Sequence, residues 1–411
     1  MYRMTGISLR IVCLALALAA AVGAGNASES RSVGVDDLRA FADAWGYIKD
    51  HFVDEVDDRR LLEAAIRGML SELDPHSAWL SVDDLQSVEE QATGRYGGLG
   101  IRITVQADHL QVITAMGDSP AERAGLRPGD RIVAIDSKPL SRDNADLATG
   151  WLRGAPGTLV ALTVERDGED QALEISLTRE LIRRNSVTLD RLGDNIALVR
   201  ITNFQQNTAV ELDDALAELR SNDEFPTGLI LDLRNNPGGM LQSAVSVSDR
   251  FLSDKLVVYA DGRGKSAELN FTSNPGESLP GVPMVVLINR ISASASEIVA
   301  GALQDHGRAV ILGEASYGKG SVQTIWPLRN GGGMRLTTAR YFTPSGRQIE
   351  SEGIIPDVLA GSLIAPVHEN GDRHDLSAGD AEDPLVTEAR TLLRSAERLY
   401  RGSGKLTEPE T

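Results

Sequence analysis

The sequence predicts an α/β chain of several domains, and three observations carry that prediction. At 411 residues the chain exceeds one ordinary domain of roughly 100–200 residues. From Asn195 onward, apolar runs of strand length alternate with helical repeats, the pattern of an α/β core. Between Arg102 and Leu177, short strand-like runs broken by glycine and proline predict a β-rich region. An apolar content of 42% suits a packed interior.

Arg3 and Arg10 flank the approach to an apolar run, Ile11 to Val22, which ends in small residues up to Gly25-Asn26-Ala27. This is the layout of a secretory signal peptide, residues 1–27, cut after Ala27. The run is about 12 residues where a span needs about 20, so no stable membrane span is expected after cleavage. An exported, periplasmic protein is expected, with membrane association left open. Cys13 is the only cysteine and lies in this segment, so the mature chain is expected to have no disulfide, thiol nucleophile or thiolate metal site. Net charge is −18, and the leader removes two arginines and no acid, which argues against nucleic acid as a partner.

Residues 33–85 read as a helical segment. Leu38, Phe41, Trp45 and Ile48 recur at helical spacing over Asp36 to Tyr47 and beyond, as do Leu62, Ala65, Ile66, Met69 and Leu73 over Leu61 to Leu73. Their apolar faces suit a core or a dimer contact. Asp74-Pro75-His76-Ser77 then stops the second helix, because proline disfavours helix at the residue before it, and His76 reads as a turn residue.

Tyr96-Gly97-Gly98-Leu99-Gly100-Ile101 opens the β-rich region, and Ser119-Pro120-Ala121-Glu122-Arg123-Ala124-Gly125-Leu126-Arg127-Pro128-Gly129-Asp130 follows its first strands. Residues 86–180 resemble a PDZ domain. The resemblance implies that Leu99, Gly100 and Ile101 offer N–H groups to a peptide's terminal carboxylate, while the peptide extends a sheet edge. Glycine permits the tight approach and positive φ that such convergence needs.

In the core, Asn195 to Phe204, Gly228 to Leu233, Leu256 to Tyr259 and Met284 to Asn289 read as strands, with Thr208 to Arg220 helical. Asp232-Leu233-Arg234-Asn235-Asn236-Pro237-Gly238-Gly239 ends a buried strand in a loop suited to exposing N–H groups. Ser292, Ser294 and Ser296 alternate with alanine before Glu297 and a helical repeat, and Ser294-x-x-Glu297 fits a capping box as well as it fits chemistry. Downstream, Ala309 to Gly313 is strand-like and Tyr317-Gly318-Lys319-Gly320-Ser321-Val322-Gln323 sets one lysine between two glycines. A phosphate-binding loop would need Ser or Thr after that lysine, where Gly320 stands.

Taken together, Asp36 to Asp357 resembles the carboxyl-terminal processing (tail-specific) proteases of serine peptidase family S41. The resemblance implies a ClpP/crotonase-like α/β protease core over 181–362 with an inserted PDZ domain. It further implies Ser294 as nucleophile, Lys319 as general base and Gln323 as the residue orienting the lysine. An ordinary lysine is only about 0.04% neutral at pH 7, so burial must lower its pKa for it to act as base. Ala295, at the start of the helix, would offer a free N–H to the oxyanion, with Gly238 or Gly239 as second donor. His306 falls about 18 Å along the same helix and is too far away to serve instead.

No cofactor or metal is expected. The expected partners are polypeptides with free C-termini and a second copy of the chain, and an adaptor protein is compatible with the pattern. Residues 363–411 read as an acidic segment with one helix, Asp383 to Tyr400, and a disordered tail. Two other readings compete: an inactive PDZ scaffold of the same fold, and a non-proteolytic α/β-hydrolase or crotonase-like enzyme. The latter is disfavoured because no Gly-x-Ser-x-Gly surrounds Ser294.

Overall fold

A computed structural model of the chain describes residues 34–220, 225–263, 269–329, 331–360 and 383–402. The expected leader with Cys13, the stretch 361–382 and the tail from 403 lie outside the described residues. The chain forms two compact units, Met1–Gly68 and Met69–Thr411.

In the first unit, α1 (Val35–His51) carries Asp36 and Asp37 in its first turn and Lys49 and His51 in its last, matching the helix dipole. Its apolar stripe is not a core, because Leu38, Phe41 and Ile48 are exposed and the helix buries no residue. α2 (Asp58–Ser71) crosses the division between the units.

The second unit begins with β1 (Ala78–Leu80) and with α3 (Val82–Thr93), a helix the hydrophobic pattern did not announce. Ser81 caps α3 by accepting the Asp84 N–H at 3.0 Å, while the Asp84 carboxylate accepts the Ser81 N–H at 2.9 Å. The domain boundary expected at residue 86 falls within this helix.

β2 (Arg95–Gly98) leads into a sheet of β3 (Ile101–Val105), β4 (Leu110–Ala115), β5 (Arg131–Ile135), β6 (Lys138–Pro139), β7 (Leu159–Glu165) and β8 (Leu173–Thr178). Short helices α4 (Pro120–Arg123) and α5 (Ala145–Trp151) interrupt it. The order is β3-β4-β5-β7-β8, with β6 on β5, so β3 lies at an edge. Leu110, Ile132, Leu162 and Val164 fill its core. β9 (Glu180–Arg183) returns to pair antiparallel with β2, so a two-stranded ribbon carries this domain in and out of the core.

The core sheet runs through β10 (Val187–Leu192), β11 (Ile196–Ile201) and β12 (Gly228–Asp232), with α6 (Thr208–Arg220) crossing between the last two. α7 (Leu241–Asp249) and the hairpin β13 (Leu256–Gly262) and β14 (Leu269–Thr272) precede β15 (Met284–Ile288). Then come α8 (Ala295–Asp305), β16 (Val310–Gly313), β17 (Ser321–Pro327), β18 (Gly333–Phe342), β19 (Val358–Leu359) and α9 (Pro384–Gly402). The six-stranded order is β10-β11-β12-β15-β16-β19, parallel from β11 onward. A second sheet runs β1-β18-β13-β14 with β17 on β18.

β12 and β15 are buried at every residue, as strands covered on both faces must be. Leu229, Leu231 and Val286 face the cluster that holds α6, α7 and α8, whereas Ile230, Val285 and Leu287 meet Val386, Ala389 and Leu393 of α9. The loops after β11, β12, β15 and β16 therefore gather at the carboxyl ends of parallel strands, where open α/β sheets hold their ligands.

Candidate active site

Ser294 stands between β15 and α8 with φ 54 and ψ −110, a left-handed conformation costly for serine and typical of residues held for chemistry. Its two neighbours explain the triplet. The Ser292 hydroxyl donates to the Leu233 carbonyl at 2.8 Å and the Ser296 hydroxyl to the Asn236 carbonyl at 2.9 Å, so both buried side chains rivet this turn to the loop after β12. Ser294 alone of the three is partly exposed.

That neighbouring loop approaches closely. A Cβ added at Gly238 (φ +104) would lie 2.7 Å from the Ala293 carbonyl oxygen, 2.9 Å from Ser294 Cβ and 3.1 Å from the Ala295 nitrogen, so only glycine fits. The Gly238 N–H donates to the Asn236 side-chain oxygen at 2.9 Å. Among the described residues, the N–H groups of Gly239 and Ala295 make no hydrogen bond.

Glu297 is the residue whose reach the sequence did not reveal. It is fully buried, and its Oε2 accepts the Ser294 N–H at 2.6 Å and the Lys319 N–H at 2.9 Å. Its Oε1 accepts the Gly318 N–H and the Ser316 hydroxyl, each at 2.6 Å. The backbones of Ser294 and Lys319 thus converge on one oxygen atom. Burial pushes the Glu297 carboxyl up, and these four donors pull it only partly back.

Lys319 lies between β16 and β17, not before a helix as a phosphate-binding loop requires. Its flanking glycines serve packing against the chain itself: a Cβ at Gly320 would sit 2.2 Å from the Glu350 nitrogen, and one at Gly318 3.0 Å from the Ser351 carbonyl carbon. The lysine is half-buried, and desolvation lowers its pKa from the ordinary value, helped by the positive Arg335 and opposed by Glu350 and Glu297. Among the described residues its ammonium makes no hydrogen bond or ion pair, so Ser294, Lys319 and Gln323 are not joined through their side chains. Gln323 donates from Nε2 to Ser321 Oγ at 3.2 Å and to Thr337 Oγ1 at 2.8 Å, and its Oε1 is buried with no partner among the described residues.

His306 caps the far end of α8 and bonds the Leu256 carbonyl through Nε2 at 2.7 Å, a structural role. Asp232 is buried and held below the usual carboxylate range. Desolvation would raise it, but the Arg234 guanidinium, aided by Arg200, more than compensates. Arg234 also reaches Asp383 at 2.8 Å, which ties α9 to the loop facing Ser294.

The Leu99–Ile101 loop is held from behind. The Leu99 carbonyl accepts the Ala121 N–H at 3.0 Å and the Gly100 carbonyl the Met116 N–H at 2.8 Å, while Gly100 (φ +71) lies so near Ser119 that a Cβ would meet it at 2.4 Å. β3, which follows, pairs with β4 alone. Among the described residues no cluster of three or more metal-ligating side chains exists, and no helix is long and apolar enough to cross a membrane.

Three family profiles match the chain: peptidase family S41 over residues 195–360, PDZ domain over 97–177, and the activating protease CtpB N-terminal domain over 17–83. A carboxy-terminal-processing protease of Bartonella bacilliformis is 40% identical over 349 residues, 84% of this chain and 79% of that protein. A carboxyl-terminal-processing protease of Synechocystis sp. is 36% identical over 330 residues, 78% of this chain and 76% of that protein. The solved photosystem II D1 C-terminal processing protease is similar at 31% identity and a TM-score of 0.47, over 78% of this chain and 86% of that one.

Proposed function

Because the chain belongs to the carboxyl-terminal processing proteases of peptidase family S41, serine-type peptidases here joined to a PDZ domain, we propose that Ser294 is its nucleophile, Lys319 its general base and Gln323 the side chain that orients the lysine. The observation that carries this reading is the shared Glu297 oxygen, which holds the backbones of Ser294 and Lys319 together while desolvation and Arg335 disfavour the lysine's charge.

Neutral Lys319 takes the Ser294 proton as Oγ attacks the scissile carbonyl. The oxyanion is received by the Ala295 N–H and a second donor from the glycine pair. Gly239 is the better placed of the two, since Gly238 already bonds Asn236. Collapse expels the amine, which takes the proton from the Lys319 ammonium. The neutral Lys319 amine then takes a proton from water as the water attacks the acyl-enzyme, and returns it to Ser294 Oγ as the acyl group leaves.

Substrate choice falls to the Leu99–Ile101 loop and the open edge of β3, which suit a chain end laid down as an added strand. The reading extends to an exported, periplasmic enzyme, on the layout of residues 1–27, and to a homodimer, for which the unburied stripe of α1 offers a face. Delivery by an adaptor is compatible with the same loop.

The test is digestion of an unstructured polypeptide, with fragments identified by mass. Ser294→Ala and Lys319→Arg should each abolish cleavage, a loss of about 10³-fold or more, because arginine stays charged. Equal fragment patterns from wild type and Ser294→Ala would leave the inactive scaffold reading, with a contaminating protease, as the account.

A further inference from the structure

The Asp74-Pro75-His76-Ser77 turn lies far from Ser294 in sequence, yet it bonds to the strand that faces Gln323. Gln323 on β17 pairs across the ladder with Thr337 on β18, immediately after a register shift at Val322/Gln323. Both Gln323 amide hydrogens are in use, toward Thr337 Oγ1 and Ser321 Oγ. The Thr337 N–H donates to Ser77 Oγ at 3.2 Å, and Ser77 Oγ donates to Asp74 Oδ2 at 2.9 Å. Ser77 Oγ thus stands between the Asp74 carboxylate and the backbone of Thr337. Asp74 Oδ1 further accepts the N–H groups of His76 and Ser77, at 2.7 and 2.8 Å.

The direction of these bonds is forced. Partial burial pushes the Asp74 carboxyl up, but the bonds from Ser77 and His76 outweigh it and hold the group below its ordinary value, hence ionised at neutral pH. An ionised carboxylate only accepts. Ser77 must therefore give its one hydroxyl proton to Asp74, and toward the Thr337 N–H it can only accept, which fixes Thr337 opposite Gln323. With the amide hydrogens directed to Thr337 and Ser321, Oε1 is left as the acceptor with no partner among the described residues. We propose that Asp74, acting through Ser77 and Thr337, is a positioning residue that fixes the Gln323 amide with its oxygen available to the Lys319 amine.

The same turn serves the lysine a second way. The His76 carbonyl accepts the Arg335 Nε–H at 3.0 Å and so steadies the cation that disfavours charge on Lys319. The charged groups that face Lys319 are Arg335 of β18, Glu350 of the segment beside Gly320, and Glu297 of α8.

The inference rests on Lys319 being the base, and the test separates the two claims. Thr337→Val keeps the shape but cannot accept from the amide, and Asp74→Asn sets an NH2 group against donors. In both, the amide is free to turn N–H groups toward the lysine, which occupies its lone pair and disfavours the ammonium. kcat should fall about 10- to 100-fold with KM unchanged, and the acid limb of the kcat–pH profile should move to lower pH, with Thr337→Ser restoring both. A wild-type kcat, or a lower kcat with no movement of the limb, overturns the relay. Ser294→Ala and Lys319→Arg run alongside: if either cleaves normally, the base assignment fails, and if both are inactive while Thr337→Val matches wild type, the relay alone fails.

Discussion

A serine held at φ 54 needs a neighbour that fixes it, and Glu297 does so by accepting its N–H while accepting two more from the lysine loop. Sequence spacing named this glutamate as one half of a capping box. Its reach to Gly318 and Lys319 is a tertiary fact that no local pattern encodes. Glutamine at 297 would carry one acceptor oxygen and turn an NH2 group toward N–H donors, so Glu297→Gln should cost about 1–3 kcal/mol of stability and most of the activity. The raised carboxyl pKa gives a second signature. The folded state keeps a proton that the unfolded state has lost, so wild-type stability falls as pH rises from the ordinary carboxylate value through the raised one. Denaturant titrations across that window should show the slope in wild type and its absence in Glu297→Gln. The same slope in both would assign the proton to another group.

At the scale of elements, the ribbon of β2 and β9 joins the chain ends of the PDZ sheet, with Gly98 opposite Glu180. Tyr96 on this ribbon lies beneath two guanidiniums, Arg153 at 5.2 Å and Arg184 at 5.7 Å, which stiffen it by cation–π attraction. Replacing residues 99–179 by a short glycine-rich turn should leave a folded core and remove the preference for free over amidated C-termini, measured as a ratio of cleavage rates. A preserved preference would place tail selection outside the PDZ domain. The elements best read from sequence were those with one clear period: Thr208 to Arg220 matches α6, and the apolar runs match β11, β12, β15 and β16. β17 and β18 escaped notice because their half-covered faces alternate Arg335, Thr337 and Arg340 with apolar residues. Serines interrupt the repeat of α7 and hide it from a periodicity reading, and the α1 stripe, a candidate for core or dimer contact, contains no buried residue.

For the molecule as a whole, the parallel strands β11, β12, β15 and β16 all end toward one cluster of loops, and those loops carry Ser294, Lys319 and the glycine pair, with Ala295 opening α8 and Gln323 on β17. Motifs name Ser294, Lys319 and the two glycines as candidates, while the hydrogen bonds made by Asp74, Glu297, Asn236 and Thr337 emerge only once distant strands are paired. The central claim is that Ser294 is activated by an uncharged amine at position 319. The chain's single cysteine is Cys13, in the expected leader, so a Lys319→Cys variant beginning at Ser28 has one thiol to alkylate. Aminoethylation of that thiol yields a lysine analogue with a more acidic amine, and peptide cleavage is then followed against pH. The account predicts an inactive variant, recovery of cleavage on alkylation, and an acid limb at lower pH than wild type. Recovery with an unmoved limb, or full activity before alkylation, would contradict it.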